Sequence, residues 1–433
     1  MQQAYSWSWV EAQVAQTIDV WNSSAATSAP CGPQYGPPEQ SKREKAYDKA
    51  LQEVEREARK SPQTKAESLA AQARITASFA RFSAAALDLQ EDAIQLLTND
   101  FLPVGTGLAR WARRFDESLS MADIIQASRN AWTACGLQPL LGERIALTPS
   151  ILGYSLLYPY TDNYLDQADI SADAKHQFSE RFRDRLRGQT LPPQDCRENA
   201  LWELVNLVEG QYPREHYPQV FDCMLAIHRA QEDSIAQLRS RTVFSDAEVL
   251  RVSCAKGGSS VLADACLAHG WLTEQESRFG FEWGVLLQLG DDLQDVREDM
   301  LRGSVTLFSR AAALGVPLDS LATQLLSFSD RVGTRMDDLP HGTVMLRELL
   351  RMSWRSLIVG AVADSHEFFT PEFLAETERS SPFRFRFLRA RRERLTSRQG
   401  LFARLFDAFL EAPEGDDDGL PLPATELAGL RCA

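Results

Sequence analysis

The helical spacing of apolar residues is the feature that most limits how this chain can fold. In residues 68–97 the apolar side chains follow the three-to-four-residue repeat of a helix. Further predicted helices include residues 150–169, 246–269, 274–301 and 401–411. No run of alternating apolar and polar residues indicates a strand, and no G-x-G-x-x-G turn indicates a dinucleotide-binding unit. The sequence therefore predicts an all-α fold, with about ten or more helices in one bundle.

Two segments of different composition flank the predicted bundle. A short amphipathic helix over residues 5–21 precedes a stretch rich in proline and glycine, which is not expected to continue a helix. We assign residues 1–42 to this N-terminal helix and linker, and residues 43–411 to the helical domain. Residues 412–433 are acidic and Pro-rich, and we predict that they form a disordered tail.

Composition and charge argue against several classes of protein. The formal net charge of −14 at pH 7 argues against nucleic acid as a partner. No uninterrupted apolar stretch approaches the length of about 18 residues that marks a transmembrane helix, and the N-terminus lacks the pattern of a signal peptide. The seven cysteines form no C-x-x-C pair and favour a reducing compartment. We predict a cytoplasmic protein, which a greasy substrate could still bring to a membrane surface.

Two acidic turns carry the predicted chemistry. Asp162 and Asp166 are four positions apart, so on a helix they share one face, with Cβ atoms about 5–6 Å apart. Asp291 and Asp295 repeat this spacing at the end of a strongly apolar segment. Like charges at this spacing repel each other, and a bound cation removes the repulsion. Such pairs are often merely exposed surface, but two similar turns that each follow an apolar helical segment favour a metal site.

Magnesium is the metal that best fits carboxylate ligands in this pattern. It typically uses one or two protein carboxylates, keeps several waters and takes further ligands from a substrate phosphate. Two acidic helix faces across the core of a bundle would hold such ions around one diphosphate. The sequence therefore predicts Mg²⁺ as cofactor and a diphosphate-bearing substrate.

Four segments, in order, resemble motifs of the class I isoprenoid synthase superfamily, which comprises trans-prenyltransferases and class I terpene synthases. Residues 162–166 resemble its first aspartate-rich motif, D-D-x-x-D, and residues 288–295 resemble the second, Q-x-x-D-D-x-x-D. Residues 256–259 resemble the Lys-Thr segment whose lysine contacts the diphosphate, and residues 302–307 resemble the G-K-x-x-T-L stretch. The resemblance covers about residues 151–307.

The resemblance implies a single large helical bundle of the isoprenoid synthase type, with a central apolar cavity and both acidic turns at its mouth. It implies about three Mg²⁺ ions that draw off charge as the carbon–oxygen bond of an isoprenoid diphosphate breaks. The implied metal ligands are Asp162, Asp166, Asp291, Asp292 and Asp295, of which all but Asp292 are also implied as catalytic. The implied diphosphate ligands are Lys256, Gln288 and Arg302, and the implied cavity residues are Leu157 and Tyr158. The family often dimerises, so a homodimer is also implied.

Departures from the family motifs decide between its subgroups. Asn163 replaces the second aspartate of the first motif, and Ser304 stands where prenyltransferases have a lysine, with Arg302 as the candidate substitute. The element that binds a second diphosphate in chain-elongating enzymes is not visible, because residues 105–114 do not match it. These departures favour a class I terpene synthase-like enzyme that ionises an allylic diphosphate and then cyclises or eliminates the carbocation.

Two other functions stay open at this point. A trans-prenyltransferase would condense isopentenyl diphosphate with an allylic diphosphate, and Lys256 together with the Q-x-x-D-D-x-x-D form of the second motif supports it. A non-catalytic relative would bind or scaffold a partner, although such a protein has no need to keep four repelling carboxylates. The N-S-E metal motif of ordinary terpene cyclases is also missing, so the sequence lies between the subgroups.

Several residues also have a purely structural interpretation. Lys256 is either a phosphate ligand or a helix-surface lysine beside a packing glycine pair, and core packing explains Leu157 and Tyr158 about as well as a cavity does. A structural role is favoured for Gln231, which lies between the two motifs. The basic residues 384–398 could close over the diphosphate or contact membrane headgroups, but pairing with the acidic body of the protein is the favoured interpretation.

Overall fold

Every regular element of the structure is a helix, as the sequence predicts. The computed structural model describes residues 5–24, 32–60, 62, 64–167, 169–239 and 245–398, together with residues 400, 401, 405, 410, 420 and 421. No strand occurs among these described residues. Apart from those isolated positions, the predicted helix at 401–411 and the predicted tail at 412–433 lie outside the described residues.

The helices follow one another along the chain with short connections. They are α1 (Trp7–Ser23), α2 (Pro37–Lys60), α3 (Lys65–Leu87), α4 (Glu91–Gln95), α5 (Leu102–Phe115), α6 (Met121–Leu137), α7 (Pro149–Ser155), α8 (Leu157–Asp166), α9 (Ala172–Leu186), α10 (Cys196–Gln211), α11 (Pro218–Arg239), α12 (Asp246–His269), α13 (Glu274–Gln294), α14 (Val296–Arg302), α15 (Leu307–Ala313), α16 (Asp319–Asp337), α17 (Val344–Asp364), α18 (Pro371–Arg379) and α19 (Phe385–Ser397). A π-helical turn (Leu96–Phe101) and two 3₁₀ turns (Gln138–Leu141 and His366–Phe368) complete the set.

Helix α12 is surrounded by other helices. It packs against α1, α6, α11 and α13, and most of its residues from Cys254 to Ala268 are buried. Its contact with α13 is unusually close because glycines lie on both sides. A Cβ atom at Gly284 would lie 2.0 Å from the carbonyl oxygen of Gly257, and one at Gly258 would lie 2.4 Å from the ring of Phe281. The glycine pair next to Lys256 is therefore a packing element, as one interpretation of the sequence proposed.

Two helices that the sequence predicts as continuous are broken at the acidic turns. The segment 150–169 divides into α7 and α8 because Pro159 has no N–H to donate to the carbonyl of Ser155, where α7 ends. The segment 274–301 divides into α13 and α14 at Asp295, whose backbone departs from helical geometry. Each break lies within one or two turns of a predicted metal ligand.

The N-terminal region differs from its prediction at one boundary. Helix α2 begins at Pro37, inside the predicted linker that ends at residue 42. Proline is tolerated in the first turn of a helix, where backbone N–H groups have no intrahelical partner, so Pro37 and Pro38 start this helix rather than prevent it. Among the described residues, no helix has both the length and the apolarity that crossing a bilayer requires.

The basic residues 384–398 pair with acidic side chains of the protein, which confirms the favoured interpretation. Helix α19 carries most of them and lies along α2. Arg394 binds the buried Glu55 at 2.7 Å, Arg391 binds Asp48 at 2.5 Å, and Arg384 binds Glu44. These arginines are therefore committed to holding α19 against α2.

Candidate functional site

The first acidic turn lies on α8 and is tied to two neighbouring helices. One carboxylate oxygen of Asp162 accepts a hydrogen bond from the Nε2 of Gln231 on α11, at 2.7 Å. The other accepts from the Oγ1 of Thr161, at 3.1 Å. Asn163, the departure from the family motif, donates from its Nδ2 to Asp123 at the start of α6, at 2.8 Å. Asn163 therefore braces the turn, and Gln231 orients the carboxylate of Asp162.

The second member of this turn cannot be placed in the same detail. Asp166 is the last residue of α8, and its side chain lies outside the described part of the structure. Of the two predicted cavity residues, Leu157 is buried in the core and Tyr158 is exposed. The structure therefore leaves the role of both cavity residues as a prediction.

Asp291 of the second acidic turn is partly exposed. Burial raises the pKa of its carboxyl group although the guanidinium of Arg129 acts to lower it, yet 45% of the side-chain surface stays exposed. Both observations hold if protein surrounds the carboxylate on several sides but leaves it open on one. The Nη2 of Arg129 on α6 lies 3.6 Å from the Oδ1 of Asp291. Arg129 had not been singled out from the sequence, because no motif surrounds it.

Asp292 is buried and fully hydrogen-bonded, in contrast to its neighbour. Its two carboxylate oxygens accept from the Nε2 of Gln288 at 2.8 Å and from the Oγ of Ser253 at 2.9 Å. Burial raises the pKa of Asp292 to about 6, and the nearby charge of Lys256 acts to lower it. This geometry makes Asp292 a link between α12 and α13. The amide nitrogen of Gln288 is likewise directed at Asp292.

Lys256 lies beside the second acidic turn. Its charge acts to lower the pKa of both Asp291 and Asp292. The side chain is half-buried, and among the described residues its ammonium makes no hydrogen bond or ion pair. The close glycine contact between α12 and α13 is what brings Lys256 to this position.

The acidic and basic residues at the end of the second turn and beyond it differ in exposure and in their charged neighbours. Asp295 is exposed at the junction of α13 and α14. Burial, together with the charges of Asp292, Asp295 and Glu298, raises the pKa of Asp299 to about 7. Arg302 forms an ion pair with Glu298 at 2.5 Å on the exposed side of α14. The structure therefore does not pair Arg302 with any of the predicted ligands.

A polar group that sequence analysis missed lies deeper along α12. Asp264 is fully buried, and one of its oxygens accepts from the Nδ2 of Asn130 at 3.1 Å. The other oxygen has no hydrogen-bond partner among the described residues. Burial raises the pKa of Asp264 well above its ordinary value, because the charged form is disfavoured away from water. Lys256, Ser260 and Asp264 recur every four residues and so share one face of α12.

Two further observations bear on the predicted metal site and cavity. Within the described part of the chain, no three His, Cys, Asp or Glu side chains converge closely enough to hold one metal ion. A cleft of about 530 Å³ lies between the start of α1, α9 and α11, with Trp7, Arg183 and Arg229 among its lining residues. None of the predicted site residues lines this cleft.

The chain was compared with protein families, with characterised proteins and with solved structures. No family model, curated protein or solved structure matches it. The family resemblance therefore rests on the four sequence motifs alone.

Proposed function

We propose that this protein is a class I terpene synthase-like enzyme that ionises an isoprenoid diphosphate and then cyclises or eliminates the allylic carbocation. One observation carries the proposal. The close packing of α12 on α13 puts Lys256 on the helix that faces Asp291 and Asp292, and its charge acts on both carboxyl groups. A cation next to paired carboxylates suits a metal-bound diphosphate.

The protein's own residues bind and orient the diphosphate in this proposal. Lys256 and Arg129 supply positive charge on the two sides of Asp291, where the leaving group would develop its negative charge. Gln231 fixes the rotamer of Asp162. Hydrogen bonds from Gln288 and Ser253 fix the side chain of Asp292. Because Ser253 lies on α12, this contact also fixes the position of α12, which carries Lys256, relative to the acidic turn.

The carboxylates fit magnesium in the way that this ion usually binds. Asp291 and Asp295 are open to solvent on one side, and such sites use one or two carboxylates with waters and substrate oxygens completing the shell. Asp162 and Asp166 of the first acidic turn would also bind Mg²⁺. Asp292 is a positioning residue in this scheme, because hydrogen bonds already engage both of its oxygens. When bound, Mg²⁺ supplies charge that stabilises the leaving diphosphate.

The proposal includes an apolar cavity along α12 below the acidic turns. Helix α12 is covered by other helices, yet Lys256 and Ser260 keep part of their surface exposed. In this proposal, the exposed parts of these two side chains border the cavity. The buried carboxyl group of Asp264 would lie near its closed end.

A trans-prenyltransferase is the second candidate. The hydrogen bond from Gln288 to Asp292 shows a structural use for the glutamine of the Q-x-x-D-D-x-x-D form. A prenyltransferase would bind isopentenyl diphosphate as a second substrate, and Arg302, which is paired with Glu298, offers no evident site for it. A scaffold function would not need the charge of Lys256 next to Asp291 and Asp292.

One assay separates the three functions. The protein is incubated with Mg²⁺ and geranyl, farnesyl or geranylgeranyl diphosphate, each with and without isopentenyl diphosphate. Hydrocarbons or released alcohols that form without isopentenyl diphosphate would support the synthase, and longer alcohols that require it would support the prenyltransferase. Absence of turnover with every substrate would contradict both.

Variants of the two acidic turns test the assigned residues. Asp162→Ala and Asp291→Ala are each expected to lose about a hundredfold or more of the turnover while keeping the helical fold. Asp338→Ala, at an exposed aspartate beyond α16, is the matched control and should leave turnover unchanged. Near-normal turnover of either site variant would contradict the assignment.

A further inference from the structure

The chain beyond α19 contacts the body of the protein at several described positions. Leu405 is buried, and the partly buried side chains of Leu410 and Leu420 pack against the hydrophobic core. The carbonyl oxygen of Pro421 accepts a hydrogen bond from the indole Nε1 of Trp111 on α5, at 2.8 Å. We call Leu420 and Pro421 the strap, because they attach the C-terminal segment to a helix that is distant in sequence.

Trp111 belongs to a row of aromatic rings that reaches the first acidic turn. Its ring stacks on Phe115 with the centroids 4.8 Å apart, and Phe115 packs edge-on against Tyr160 of α8 at 6.2 Å. All three side chains are buried. The hydroxyl of Tyr160 donates to Asp116, just beyond α5, at 2.8 Å, and Asp162 follows Tyr160 closely on α8. Because buried rings are closely packed, a change at Trp111 is transmitted to Tyr160.

We propose that the strap stabilises the first acidic turn when it is docked on α5 and loosens that turn when it leaves. The described contacts of the strap are one hydrogen bond and one partly buried leucine. So small a contact opens more easily than the core, so the docked and undocked states exchange. Docking stabilises the conformation that it requires in the same way as a bound ligand does.

The two sides of this contact are complementary in charge. Helix α5 carries three arginines and no acidic residue. Over residues 102–117, these three arginines stand against Asp116 and Glu117, a net charge of +1, whereas the whole chain carries −14. The residues at 416–418, which precede the strap in sequence, are all aspartates. Opposite charges attract, so the acidic segment favours α5 over the more acidic rest of the protein.

Other contacts limit what undocking does to the turn. Gln231 donates a hydrogen bond to Asp162, and Asn163 donates one to Asp123. Loss of the strap should therefore loosen α8 rather than unfold it. The consequence for turnover rests on the proposed function, in which Asp162 binds Mg²⁺. The coupling between the strap and α8 is conformational and does not depend on the reaction.

Hydrogen–deuterium exchange of the full chain, read by mass spectrometry, tests the proposal. Trp111→Phe keeps a ring against Phe115 but removes the N–H donor, and Leu420→Ser removes the apolar contact from the other side. In each variant, the peptides that contain Leu420 and α8 should exchange about fivefold faster than in the wild type. Loss of one contact of ordinary strength changes an equilibrium constant by about that factor.

Trp202→Phe is the matched control. Trp202 and Trp111 are both 6% exposed, and the Nε1 of Trp202 donates to the backbone carbonyl of Leu191 at 2.9 Å. The control therefore removes the same kind of hydrogen bond from an equally buried indole that does not hold the strap. Exchange of the Leu420 and α8 peptides should stay at the wild-type rate in this variant.

Three outcomes would overturn the proposal. Unchanged exchange at Leu420 in Trp111→Phe would show that the hydrogen bond does not hold the strap. Faster exchange at Leu420 with wild-type exchange in α8 would show docking without coupling. Equal acceleration in Trp202→Phe would show a general loss of stability. None of these measurements requires turnover, so a failure of the proposed reaction would be seen separately, in the incubations with isoprenoid diphosphates.

Discussion

The contact between α12 and α13 leads to the sharpest stability prediction. Gly284→Ala would place a methyl group 2.0 Å from the carbonyl oxygen of Gly257 and 3.1 Å from the Cα of Gly258. Ordinary contacts of a Cβ atom begin at 3.4 Å. Since both obstructing atoms belong to the backbone of a buried helix, no side chain can rotate away. The two helices would have to move apart by about 1 Å or more.

The size of the effect follows from two opposing terms. Overpacking of a well-packed core costs about 1–3 kcal/mol, and a backbone obstruction lies at the upper end of that range. Alanine is a better helix former than glycine by about 0.8–1.0 kcal/mol, which offsets part of the cost. We therefore expect Gly284→Ala to lower the free energy of unfolding by about 2 kcal/mol. Gly360→Ala on α17, where a Cβ atom meets nothing within 4 Å, should instead raise it slightly.

Urea unfolding followed by far-UV circular dichroism measures both variants. The displacement should also lengthen the 2.9 Å hydrogen bond between Ser253 and Asp292, so turnover should fall with stability. If Gly284→Ala proved as stable as Gly360→Ala, the close helix contact would be wrong. The packing argument that places Lys256 at the acidic turn would then fail as well.

Three further predictions concern ionisable groups. Lys256→Met removes a charge that lowers the pKa of Asp292 below what burial alone would give, so that pKa should rise above about 6 and the acidic limit of turnover should move to higher pH. An unchanged pH–rate profile would contradict this. Burial raises the pKa of Asp264, so the folded state holds that proton more tightly and stability falls as pH rises above the ordinary value of 3.8. Asp264→Asn should remove this loss of stability. Urea unfolding midpoints of the wild type and the variant, each measured at about pH 4 and about pH 8, would show the difference. The hydrogen bond from Arg394 lowers the pKa of Glu55 in the folded protein. The ionised Glu55 therefore stabilises the fold fully above pH 4.5, its ordinary pKa, and this stabilisation is lost as the pH falls through the lowered pKa of the folded state. In Glu55→Gln, the free energy of unfolding should therefore fall less steeply with decreasing pH than in the wild type. Equal slopes for the two proteins below about pH 4.5 would contradict a stabilising role of the Arg394–Glu55 pair.

The helices were predictable wherever their signals are local. The predicted helix at 246–269 coincides with α12, because Ser245 and Glu248 form a capping box at its start and Gly270 ends it. Predictions were wrong where proline was concerned, because proline is tolerated in the first turn of a helix but interrupts a helix farther along. Pro37 and Pro38 predict a linker but start α2, and Pro159 ends the helix that the apolar spacing predicts as continuous over residues 150–169.

The site was predictable only in its list of candidate residues. Motif spacing predicts Lys256 and Asp291 as ligands, and in the structure the charge of Lys256 acts to lower the pKa of Asp291. The same spacing suggested Arg302 as a phosphate ligand, but its nearest carboxylate is Glu298, one turn away on the same helix. Arg129 and Gln231 touch the acidic turns from helices that carry no motif.

Local sequence signals predict that the chain is helical, where most helices begin and end, and which carboxylates share a helix face. These properties depend on residues within one or two turns of each other. The packing of the helices is what makes Asp292 a link between two helices, pairs α19 with α2, and leaves Leu301 and Leu314 exposed. Each of those outcomes depends on which helix faces meet, and contacts such as Gly257 against Gly284 fix that across long sequence separations.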